Sequence, residues 1–100
     1  MSNTELRVRV LLTLQVALLG MVTANMRSVL VSWNKTEVHI RLVFNEVIND
    51  TDVEIASEIE SEVISHLPGQ IVRCEAETIP LDIKVMPREG EVLVFHRASS

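Results

Sequence analysis

The side chains best placed to do chemistry in this 100-residue chain are carboxylates. Glu54, Glu58 and Glu62 recur at i, i+4 and i+8, a spacing that stacks them on one face of a helix. Such like charges repel by roughly a few tenths of a kcal/mol per pair, which a solvated face tolerates. No lysine is interleaved, so the ridge also suits a cationic partner, and these three residues are the candidate partner-binding site. Glu60 is different: on the same helical wheel it falls among Val53, Ala56, Ile64 and Leu67, inside the apolar stripe. A carboxylate in that position must be paired, protonated or at a rim, because an unpaired buried charge is costly. An ion pair inside the fold with Arg27, or with Arg7, is the expectation. A buried acid is also what a general base needs, which keeps open a small hydrolase built from Glu60 with His39 or His96.

The other reactive residues point to less. His39, His66 and His96 fall on a strand, a helix end and a strand, without an i,i+4 pair or a cysteine at ligand spacing, so neither a metal nor a cofactor is expected. His66 lies in the last turn of its helix, where a cation faces the negative end of the dipole. Cys74, the only cysteine, alternates with Val72 and Ala76 and reads as a core residue that cannot form an intramolecular disulfide. With three glycines in all, the chain holds no phosphate-cradling loop and no nucleophile elbow.

Charge is concentrated. From Glu46 to Glu77 nine acids face only Arg73, a formal 1 − 9 = −8, whereas residues 1 to 45 carry 5 − 2 = +3 and residues 78 to 100 carry 3 − 3 = 0, together the net −5. Clustered acids repel phosphate, so nucleic acid is not an expected partner. The length and the 47% apolar content describe one domain over residues 1–100. With two Phe, one Trp and no Tyr, its core must be branched-aliphatic.

The elements that position these residues follow from periodicity. Thr4 to about Met21 is an amphipathic helix whose broad face carries Leu6, Val10, Leu11, Leu14, Ala17, Leu18 and Met21; Glu5, Arg9, Thr13 and Gly20 form a thin polar stripe. This predicts a mostly buried helix capped by Asn3 or Thr4. The run from Val10 to Val22 also has the length of a signal-peptide apolar region, but Glu5, Thr13 and Gln15 favour a core helix, and the run is too short to span a bilayer, so no membrane association is expected. Met26–Trp33 alternates as a strand with Arg27, Val29, Val31 and Trp33 on one face; after Asn34-Lys35-Thr36, Val38, Ile40, Leu42 and Phe44 face the core while His39, Arg41, Val43 and Asn45 face away. Thr51 and Glu54 suggest a capping box opening a second helix near Asp52 that runs to about Leu67, before Pro68-Gly69. Gln70–Ile79 and Glu91–Arg97 read as strands, and residues 81 to 87 alternate between flanking prolines. The order α-β-β-α-β-β predicts an α+β two-layer sandwich, an antiparallel sheet with both helices on one face.

Residues 17 to 29, Ala-Leu-Leu-Gly-Met-Val-Thr-Ala-Asn-Met-Arg-Ser-Val, followed by Val31-Ser32-Trp33 and by Ile59-Glu60-Ser61-Glu62-Val63, resemble small acidic bacterial immunity proteins of contact-dependent growth inhibition and colicin-like toxin systems. The resemblance implies a cytoplasmic, non-enzymatic protein that neutralises a toxin domain by binding it. An acidic inhibitor suits a basic, nuclease-type toxin by steering association. The alternatives are a module that self-associates, as a homodimer through a sheet edge or the apolar face of helix one, and the small hydrolase.

Overall fold

A computed structural model of the protein describes residues 2–97. The chain forms α1 (Asn3–Leu18), β1 (Met26–Trp33), β2 (Glu37–Phe44), α2 (Asp50–His66), β3 (Ile71–Thr78) and β4 (Val92–His96), in the α-β-β-α-β-β order expected. Both helices start one or two residues earlier than periodicity placed them. Ser2, not Asn3 or Thr4, caps α1 by accepting from the Glu5 N–H at 3.1 Å. Asn49 caps α2: its side chain accepts from the Asp52 N–H and the Asp52 carboxylate accepts in return from the Asn49 N–H, so the box is Asn49–Asp52 rather than Thr51–Glu54. Asp52 is buried and also accepts from Asn25 Nδ2 at 2.9 Å, which ties the helix start to the β1 entry. At its other end α1 stops at Leu18, short of Met21, where Gly20 turns the chain with φ 77°.

The four strands form one mixed sheet in the order β3-β2-β1-β4, not the antiparallel sheet expected. β1 pairs antiparallel with β2 and with β4, but β3 pairs parallel with β2. The reason is α2: a helix between two strands carries the chain back to the end from which it left, so the next strand runs in the same direction. After β3 the chain crosses to the opposite edge to form β4, and the ambiguous 81–87 segment is part of that crossing rather than a strand.

Helices α1 and α2 share one face of the sheet. Leu6, Val10, Leu14 and Ala17 of α1 and Ala56, Ile59 and Val63 of α2 pack with Val29, Val31, Val38, Ile40, Leu42, Phe44 and Val72, an aliphatic core as the composition required. The opposite face is not left to solvent. Val85 and Ile79 of the crossing segment lie on Leu30 and Val43, both fully buried, so the side of β2 that faces away from the helices carries a second, smaller core. A register shift between Met26 and Ser28 also reverses the expected parity of early β1. Met26 joins the helix-side core, and Arg27 turns to the opposite face.

Helix α1 is less enclosed than its thin polar stripe suggested. Thr13, assigned to that stripe, is buried, while Val8, Leu12, Val16 and Leu19 form an exposed apolar row at i, i+4, i+8 and i+11. No helix among the described residues is long and apolar enough to cross a membrane.

Candidate functional site

Glu54, Glu58 and Glu62 lie on the exposed face of α2, which the Asn49–Asp52 cap anchors. Glu58 and Glu62, with Ser57, Ser61 and Ser65, form one wall of an open groove of about 550 Å³ whose other wall is Val16, Ala17, Leu19 and Met21 at the end of α1. Two consecutive turns of acid thus border the apolar row of α1. Glu54 continues the ridge beyond the groove. Glu62 Oε1 lies 3.0 Å from His66 Nε2, an i,i+4 contact with both side chains about half exposed. Among the described residues Glu54 and Glu58 have no ionic partner in the chain.

Glu60 does not pair with Arg27. The Arg27 guanidinium donates to the carbonyls of Ile79 at 3.0 Å and Pro80 at 2.7 Å, holding the start of the crossing segment from the face opposite the helices. Arg7, the other partner considered, stacks over the Trp33 ring at 5.8 Å. Glu60 is half-buried at the rim of the helix layer, and its Oε2 accepts from the backbone N–H of Cys74 at 3.0 Å. Its neighbours on the wheel divide there: Ala56 and Leu67 are buried, Val53 and Ile64 exposed.

His39 and His96 lie on the far side of the sheet from Glu60, whereas His66 shares α2 with it. His39 alternates with core-facing Val38 and Ile40, and its Nε2 stands 3.2 Å from Glu75 Oε1, at ion-pair distance but not in hydrogen-bond alignment. His96 Nδ1 is 2.7 Å from Ser28 Oγ. A sheet thus separates the proposed base from both, and the arrangement offers no hydrogen-bonded proton route between them. Cys74 packs against the helix-side core, where burial, with help from Glu60 and Glu75, pushes its thiol up to about 12. It is therefore a protonated, weak nucleophile.

Sequence reasoning missed the strongest electrostatic cluster. Arg41, read as facing away, is 3% exposed and donates Nε and Nη2 to the two oxygens of Glu91 at 2.9 and 2.6 Å, Nη1 to Glu77, and Nη2 to the Met86 carbonyl at 3.1 Å. The guanidinium holds the Glu91 carboxyl below the usual range against the opposing effect of burial, with the Arg88 N–H assisting. These contacts clamp the crossing segment onto the sheet. One signal was available: Val43, apolar, shares the face of Arg41, and a strand apolar on both sides is covered on both sides.

A family model described as MafI2 immunity protein matches residues 7–99, from the first turns of α1 to past β4. No curated protein matches the chain significantly.

Proposed function

The chain belongs to the MafI2 immunity protein family, and from that premise we propose that it acts without catalysis, in the cytoplasm, by docking a cationic toxin domain of nuclease type on the α1–α2 groove. The observation that supports this site is a coincidence of two solvent-facing surfaces, one acidic and one apolar. Glu58 and Glu62 line the groove opposite Val16 and Leu19, which are 51% and 76% exposed. Interfaces combine an apolar centre, which contributes burial, with charges at the rim, which steer encounter. Glu54 extends the acidic rim, so a basic toxin surface would be drawn in along α2 and seated against the α1 end. A nuclease must carry a cationic surface to hold phosphate, and covering that surface would inhibit it.

The test is a triple charge reversal, Glu54→Lys with Glu58→Lys and Glu62→Lys, measured by association kinetics with the cognate toxin at low and moderate salt. The expected result is an association rate reduced by about 10- to 1000-fold with a reversed salt dependence. Unchanged kinetics and unchanged protection of cells would remove the site assignment. Self-association remains a second reading because the row Val8, Leu12, Val16 and Leu19 is exposed along α1. Sedimentation of the wild-type protein against Leu12→Lys distinguishes it: a concentration-dependent dimer dispersed by the lysine would assign that row to a second copy.

A further inference from the structure

The β3 edge of the sheet is open. In its parallel pairing with β2, Ile71 N–H reaches Thr36 and Ile79 N–H reaches Phe44 at the strand's two ends, so the odd-numbered residues bond inward. Val72, Cys74 and Ala76 consequently direct their N–H and C=O groups outward, since alternate residues of a parallel strand bond to opposite sides. An eight-residue edge strand with no strand on its outer side is a template for another strand. Only one of these outward amides is taken among the described residues: that of Cys74, at the centre, by Glu60.

Side chains around the edge specify a partner. Arg73 and Glu75 are exposed on the face opposite the helices, and Arg73, the single cation of the acidic window, has no ionic partner among the described residues. If two copies of β3 pair antiparallel about Cys74, Val72 lies opposite Ala76 of the other copy, and Arg73 lies opposite Glu75 twice over. Moving the centre to Arg73 or Glu75 instead sets like charges face to face, which disfavours those registers. Along the same edge, Val53 and Ile64 are exposed on the side of α2 that carries Glu60, at i and i+11 around it, and Ile71 is exposed at the strand start. Pairing would bring two such apolar fringes together.

We propose that the β3 edge is a self-complementary pairing surface for a second copy of this chain, in the register that opposes Arg73 to Glu75, and that Glu60 blocks it by occupying the central amide. A carboxylate bound to that N–H displaces the carbonyl that the partner strand must bring there. It also sets two negative charges close together at the dimer axis. Inward-reaching charge on an edge strand is a known means of preventing unwanted pairing.

The test uses sedimentation under reducing conditions across a hundredfold concentration range. Wild type is expected to remain monomeric, whereas Glu60→Ala is expected to move to twice the monomer mass as concentration rises. Should Glu60→Ala fail to fold, Glu60→Asp, whose carboxylate stops one methylene short, replaces it. Adding Arg73→Glu to the unblocked variant should return it to monomer, and Arg73→Glu with Glu75→Arg should restore the dimer. A folded Glu60 variant that stays monomeric overturns the proposal. So does a dimer indifferent to Arg73→Glu, or one that Leu12→Lys on α1 disperses.

Discussion

Two groups of carboxylates in this protein have opposite fates. Glu77 and Glu91 converge on the buried guanidinium of Arg41 and hold the crossing segment against the sheet. Glu54 and Glu58 stand in solvent on α2 with no cationic partner among the described residues. In the sequence Glu77 belongs to the same acidic window as the α2 ridge, yet in the fold it is neutralised by an arginine from the cationic first half of the chain. Local charge density therefore overstates what is free to meet a partner. The difference teaches that an acid is free to meet a partner only to the extent that the fold brings no cation to it.

The largest effect should come from breaking the internal cluster. Arg41→Met leaves Glu91, 8% exposed at its side chain, buried without its partner, and removal of one member of a buried pair typically costs about 3–5 kcal/mol. Chemical denaturation should show that loss, while a Glu58→Lys control should stay within about 0.5 kcal/mol of wild type. If both variants were equally stable, the two groups would not differ as described. Next in size is the helix cap that carries the ridge: Asn49→Ala should cost about 0.5–2 kcal/mol by denaturant midpoint and weaken toxin binding only in proportion to unfolding. A direct binding defect in fully folded protein would instead place Asn49 in the interface.

The pH dependence sharpens the contrast further. Glu91 has a folded pKa depressed by Arg41, so its contribution is fully present above the carboxylate value of the unfolded chain and is lost as pH falls through the lower folded value. The gap in melting temperature between wild type and Glu91→Gln should therefore be widest near neutrality and close in acid. A gap constant from pH 7 to 3 would mean that Glu91 is not held ionised by Arg41. The smallest effect concerns Cys74: with its thiol pushed up to about 12 by burial and by Glu60 and Glu75, it should react slowly with a thiol reagent at pH 8 in folded protein and quickly in denaturant.

Much of the fold was legible because it is written in periodicity. The alternation of Val38, Ile40, Leu42 and Phe44 identified the core face of β2, and the i,i+4 spacing of Glu54, Glu58 and Glu62 placed them on one exposed helical face. Errors arose where a single residue changed parity or where a distant segment intervened. The irregularity after Met26 turned Arg27 away from the helices, and with it the expected ion pair to Glu60. Burial of Arg41 and Val43 depends on residues 79 to 91, which no local pattern places on that face.

By itself the sequence determined the number, order and approximate extent of the helices and strands, the aliphatic character of the core and the acidity of α2, because all of these are properties of neighbours along the chain. Strand order, the parallel β2–β3 pair, the partner of each carboxylate and the groove beside Glu58 and Glu62 were decided only by tertiary structure. They depend on which remote segments meet, and charge or hydropathy along the chain does not encode the distance between residues such as Arg41 and Glu91, fifty positions apart.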